Sequence, residues 1–155
     1  WLGGGLARPS RGMAERLKAL SCWGGGDVSI VSTHDVKESL QLGEGRTNQN
    51  FVADVGGRRF FVRLGGDLPF FSVNRPREQA ASRAAAAADL SPSVHHTEPP
   101  DVLVLDFVDG RALTEADVHK AAAAGPGDPL LGSITQVIRR LHAVPIPQEL
   151  ADFAG

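Results

Sequence analysis

Two β-rich runs meet at a pair of glycines. NFVADV (50–55) and RRFFVRL (58–64) flank Gly56-Gly57, and a two-residue glycine loop between such runs specifies a tight antiparallel hairpin. Alternation along the second run puts Phe60, Val62 and Leu64 on one face, with Phe61 and Arg63 on the other. Arg63 thus lies on a strand whose neighbours are nearly all apolar. A guanidinium placed there requires a carboxylate partner or an anion, because burying an unpaired charge is costly. The hairpin and its placed charge constrain the fold more than any other feature of the chain.

The remaining segments are read around that hairpin. MAERLKALSCW (13–23) reads as a short amphipathic helix, with Ala14, Leu17 and Leu20 at spacings of three or four. Residues 1–12 are rich in Gly and Arg without a period, and are expected to be upstream or non-native sequence. They contain no apolar h-region of a signal peptide, which needs about 7–15 residues. DVSIVS (27–32) alternates as a short strand, and residues 33–41 are polar and ambiguous. NRPREQAASRAAAAAD (74–89) predicts a helix, since Pro76 fits only its first turn and alanine has the best helix propensity. HHTEPP (95–100) predicts a loop. DVLVLDFVDG (101–110) predicts a buried strand running into a turn at Asp109-Gly110. Residues 111–124 predict a helix with Thr114 as N-cap, and GPGDP (125–129) breaks it. Residues 130–144 predict an amphipathic helix with Leu131, Ile134, Ile138 and Leu141 (or Val137) as its apolar stripe, Arg139 and Arg140 lying off it. The expected architecture is α+β, with mostly antiparallel strands followed by helices.

Several function classes are disfavoured. With 16 Lys+Arg against 18 Asp+Glu the net charge is −2, which gives no electrostatic case for nucleic acid or an acidic membrane. No apolar run approaches the roughly 18 residues of a membrane-spanning helix. Cys22 is the single cysteine, which excludes an internal disulfide and a cysteine-built zinc site, and reads as a small half-buried side chain. The five histidines lack helical metal spacing. His95-His96 reads as solvated loop and His142 as packing its helix.

Four features in order carry chemistry. GEGRTNQN (43–50) is a glycine-containing turn before a strand, and such turns bring backbone N–H groups close to phosphate oxygens. Arg63 follows on the next strand with a fixed fork of donors suited to phosphate. Glu78 opens the next helix and can hold Arg63. An apolar strand then ends in LDFVDG (105–110), whose backbone groups can meet the edge of a flat heterocycle. This is the logic of the small lobe of a kinase. Each feature has a plainer reading. The turn can be an ordinary hairpin connection, Arg63 can pair across a sheet, Glu78 can serve the helix dipole, and Asp106 and Asp109 can be turn formers.

LGEGRTNQNF, FFVRL, NRPREQAA, LVLDFVDGRAL and IRRLH, in this order and at these gaps, resemble the choline/ethanolamine kinase group within the aminoglycoside-phosphotransferase-like kinases. The resemblance runs from about Met13 onward. It implies a protein-kinase-like small lobe and hinge over 13–108, and a linker with the start of a helical large lobe over 109–155. It also implies ATP as nucleotide, Mg²⁺, a small amino-alcohol acceptor and a cytoplasmic location. Gly45, Arg46, Thr47 and Asn48 match the segment over the ATP phosphates, Arg63 the basic residue of the third strand, Glu78 the acidic helix residue. Asp106, Phe107 and Val108 match the adenine-side hinge. Two positions depart from the pattern. Glu44 stands where the family commonly has Gly, and Phe61 would line the adenine pocket beside Arg63. The family's H-x-D-x-x-x-x-N loop, which supplies base and metal ligands, does not occur in these 155 residues. It is expected beyond them, so the chain alone is expected to be inactive. An aminoglycoside or other small-molecule kinase, and a non-catalytic binding module, are the alternative expectations.

Overall fold

The computed structural model describes residues 11–32, 49–65, 74–99 and 101–153. These residues form an α+β fold of one five-stranded antiparallel sheet and four helices. In chain order they are α1 (Arg11–Lys18), a 3-10 turn (Ser21–Trp23), β1 (Val28–Ser32), β2 (Gln49–Val55) and β3 (Arg58–Leu64). There follow α2 (Arg75–Ala87), β4 (Val94–Glu98), β5 (Val102–Asp106), α3 (Glu115–Ala124), α4 (Pro129–His142) and a 3-10 segment (Gln148–Phe153). The strand order is β1-β2-β3-β5-β4, which makes β3 the centre of the sheet.

The β2–β3 hairpin forms where the two glycines place it. Gly56 and Gly57 have φ of 59° and 85°, the left-handed values that a primed turn demands and that side chains resist. The Gly57 N–H donates to Asp54 Oδ1 at 2.9 Å, and Val55 pairs with Arg58. Alternation then sorts the strands into two faces. Phe51, Ala53, Phe60, Val62, Leu64, Val102 and Val104 form one buried cluster with Leu17, Leu20, Trp23 and Val28. Burial of apolar side chains of this size stabilises by roughly 1.5–3 kcal/mol each. α1 is held over this face by its own chemistry. Arg16 makes a two-pronged bond to Asp101, 2.7 Å on each oxygen, and its Nη2 lies 3.5 Å from Glu98.

The first helix differs from its sequence expectation at both ends. It starts at Arg11, so Arg11 and Gly12 belong to its first turn, and it stops at Lys18. The indole N–H of Trp23 donates to the Leu17 carbonyl at 2.7 Å, taking the acceptor that a continuing helix would use. The chain therefore tightens into the 3-10 turn, and Trp23 packs at a tilt against Phe60 with ring centres 5.3 Å apart.

A second correction concerns 95–98, expected as loop. These residues belong to β4, which pairs with β5 at the edge of the sheet, with a register shift between Val94 and His96. Polar residues suit an edge strand, and pairing with the apolar β5 overrides their weak local preference. His95 lies against Phe60 with ring centres 4.5 Å apart, and the buried His96 Nε2 has no hydrogen-bond partner among the described residues.

α2 starts after Asn74, whose side chain accepts the Arg77 N–H and so caps the helix, with Pro76 in the first turn. α3 starts at a reciprocal capping box between Thr114 and Asp117. The Arg111 guanidinium and the Thr114 donors hold the Asp117 carboxyl well below the usual carboxylate range. Asp128 caps α4, which begins one residue earlier than its sequence pattern indicates, at Pro129. Among the described residues of α3 and α4 only Ala121 is buried. The α4 stripe is half-buried at Leu131 and Ile134 and open at Val137, Ile138 and Leu141, which are 50%, 47% and 52% exposed. His142, expected to pack its helix, is exposed. Arg140 ties α4 to the end of α2, donating to the Ala88 carbonyl at 2.6 Å. Among the described residues no helix is long and apolar enough to cross a membrane.

Candidate functional site

The second face of the sheet carries the placed charge. Phe61 and Arg63 emerge from β3 on the side opposite the buried cluster. Register sets Asn50 and Leu103 beside Arg63, and Val52 and Leu105 beside Phe61. Val52 and Leu103 are buried, while Phe61, Arg63, Asn50 and Leu105 are half-buried. The first turn of α2 lies over the Arg63 end. Arg63 Nη1 meets Glu78 Oε1 at 2.7 Å, and Gln79, itself buried, donates from Nε2 to the Val102 carbonyl at 3.3 Å.

Glu78 serves two guanidiniums. Its other oxygen, Oε2, accepts from Arg75 Nη1 at 2.6 Å. Burial pushes the Arg63 guanidinium below its ordinary value. Glu78 works against that shift, and the nearby Arg75 charge adds to it. Each effect follows from charge and solvent: loss of water and a like charge disfavour the ionised form, an opposite charge favours it. Among the described residues, Asn50 Oδ1, buried on this same face, has no hydrogen-bond partner. Buried acceptors are nearly always satisfied, so this atom has capacity for a donor.

At the other end of β3 the chain leaving β5 returns to the same strand. The Phe107 N–H donates to the Arg59 carbonyl at 3.3 Å, and the Arg59 guanidinium lies 4.5 Å from the Phe107 ring centre. Arg59 also pairs with Asp109, and Arg58 pairs with Asp106 at 2.8 Å. Val108 is 63% exposed. Arg59 and Arg63 lie four residues apart on one face, roughly 13 Å along a strand.

The sequence-derived residues therefore divide into groups. Arg63 and Glu78 are brought together. Asp106, Phe107 and Val108 follow β5 at the far end of β3, with the two acids of this stretch, Asp106 and Asp109, engaged by arginines rather than serving only as turn formers. Gly45, Arg46, Thr47 and Asn48, together with Glu44, lie outside the described residues. Arg75, Asn50 and Arg59 were not singled out by sequence. The Arg75–Glu78 spacing of three on a helix was a readable signal for the first, whereas Asn50 emerges only from register.

Among the described residues no group of three or more His, Cys, Asp or Glu side chains is placed to hold a metal ion. On the Arg63 face the group left to meet a ligand is the Arg63 guanidinium, whose donors suit an anion rather than a bare cation. A cavity of about 530 Å³ lies along α4, lined by Pro126, Leu131, Gly132, Thr135, Gln136 and Arg139. None of these residues belongs to the sheet or to α2, and the lining offers one charge and no acid. The Arg63 face holds the convergent charged groups. No protein-family model, curated protein or solved structure matches this chain.

Proposed function

We propose that this chain carries the nucleotide-binding lobe of an ATP-dependent phosphotransferase of the choline/ethanolamine kinase type, with a small amino alcohol as acceptor. The observation that carries the reading is the 2.7 Å pair between Arg63 on the central strand and Glu78 in the first turn of the following helix. It sits on the face that α1 leaves uncovered. In this reading Arg63 donates to ATP phosphates as a rigid fork and Glu78 aims it. The backbone of 106–108 meets the adenine edge, and Phe61 stacks on the base. Gly45, Arg46, Thr47 and Asn48 cover the phosphates.

These residues bind and orient the nucleotide, and none of them touches the acceptor. Phosphoryl transfer depends on positioning and on charge stabilisation, with Mg²⁺ neutralising the phosphates. In this reading the residues named above supply neither the base nor the magnesium ligands of the transfer. The 155-residue chain by itself is expected to turn over negligibly.

The reading is tested by thermal unfolding of the chain with and without ATP and magnesium. ATP is expected to raise the melting temperature through binding to the folded state, and Arg63→Ala to abolish the rise. An equal rise in Arg63→Ala removes this face from the nucleotide site.

A further inference from the structure

The Arg63 face contains a group that neither strand pattern nor the kinase resemblance singles out. Arg75 is the first residue of α2, and its side chain is 4% exposed, against 18% for Arg63 and 33% for Glu78. It is thus the deepest member of the three, placed where an incoming anion does not reach. Its Nη1 holds Glu78 Oε2 at 2.6 Å, while Glu78 Oε1 holds Arg63. The turn that carries both ends of this grip is itself fixed, since Asn74 caps the Arg77 N–H and Pro76 sets the backbone between them.

We infer that Arg75 is a positioning residue for the phosphate site, holding the Glu78 carboxylate toward Arg63 from the buried side. This rests on the nucleotide reading above and deepens it. The reasoning is competitive. A phosphate that approaches Arg63 competes with Glu78 Oε1 for the same guanidinium. A glutamate tethered only through Oε1 would swing into water once displaced, because a third of it is already exposed and its side chain has free rotors. The second tether, through Oε2, keeps the carboxylate in place while Arg63 shares its donors between carboxylate and phosphate. Arg63 then meets the ligand in a single orientation, and pre-ordered donors bind more tightly than donors that must be ordered on contact.

The test uses the full chain and ATP with magnesium as probe, read by isothermal titration calorimetry in the wild type and in Arg63→Ala, Arg75→Met, Arg75→Lys, Glu78→Gln and the Arg75→Met/Glu78→Gln pair. Arg75→Met is expected to weaken ATP by about tenfold or more, the scale of losing one hydrogen bond between charged groups. Arg75→Lys is expected to recover most of that loss, since it keeps a charged donor. In the Glu78→Gln background Arg75→Met is expected to add less than about twofold, because the two act as one unit. Unchanged affinity in Arg75→Met, or the same loss in both backgrounds, overturns the inference.

A second readout does not depend on ATP. In nitrogen NMR of the free protein, the Arg63 guanidinium is expected to show slowed rotation in the wild type and in Arg75→Lys, and averaged signals in Arg75→Met. Slowed rotation that persists in Arg75→Met contradicts the inference even if ATP fails to bind. Absence of ATP binding in the wild type counts against the nucleotide reading alone.

Discussion

The same three strands build two unlike surfaces. On the α1 side, Phe60, Val62 and Leu64 of β3 join Phe51, Ala53, Val102 and Val104, and Leu17 and Trp23 close over them. On the α2 side, Phe61 and Arg63 alternate with those residues and remain half-buried, with the Glu78 carboxylate bridging Arg63 and a second guanidinium, Arg75. One residue of shift decides which surface a side chain joins. The comparison teaches that stability and binding chemistry are separated by strand alternation. A face that is apolar throughout can be closed by packing, whereas a face that carries a guanidinium must be completed by charged partners.

The largest expected effect lies on the closed face. Trp23→Ala removes the ring that covers Phe60 and the indole bond to Leu17, and is expected to cost about 3–5 kcal/mol in denaturant unfolding. Phe61→Ala, one residue along from Phe60 and on the other face, is expected to cost at most about 2 kcal/mol, because its ring is already partly open to water. Equal losses would erase the distinction between the faces.

Next comes the charge cluster. Glu78→Gln leaves two guanidiniums facing each other without a carboxylate, and is expected to destabilise by about 1–2 kcal/mol. The figure is below that of a fully buried pair because Glu78 is 33% exposed. A neutral or stabilising result would show that the arrangement contributes nothing to the fold.

A smaller effect is expected at the clamp that fastens α1. The two-pronged Arg16 contact holds the Asp101 carboxyl below the usual carboxylate range. A carboxylate whose folded value is depressed stabilises the fold above its unfolded value of about 4, and that contribution fades as pH falls through the folded value. Unfolding measured from pH 6 down to 2 is expected to show a loss of about 1 kcal/mol below pH 4 that Asp101→Asn lacks, Arg16 being solvent-facing enough to limit the gain. Identical profiles would remove the clamp from the account of acid sensitivity.

The smallest effect on stability, within about 0.5 kcal/mol, is expected for Leu141→Gln combined with Ile138→Gln. Both residues are about half exposed. Contiguous open apolar surface drives association, so the same pair is expected to lower self-association in sedimentation velocity. A large loss of stability would mean that the α4 stripe is already covered.

Much of this arrangement was legible in the residues. The glycine pair and the alternation of RRFFVRL fixed the hairpin, its two faces and the need of Arg63 for a partner. Glu78 was nameable because it opens the helix that follows β3 among the described residues. The four helices follow from period and caps. What escaped was set by tertiary context. The strand 94–98 is polar and forms because β5 offers a ladder, which no local preference records. The early stop of α1 depends on an indole N–H reaching back six residues. Arg75 looked like an ordinary first-turn residue until burial distinguished it from Arg77, which is exposed. Asn50 acquired its place beside Arg63 only through register.

The central claim is that the Arg63 face meets nucleotide phosphates. Phosphorus NMR of ATP with magnesium, titrated with the wild-type chain and with Arg63→Ala, tests it most directly. The wild type is expected to shift or broaden the β- and γ-phosphate signals, and Arg63→Ala to leave them as in free ATP. Phosphate signals unaffected by the wild type, or perturbed equally by both proteins, would contradict it.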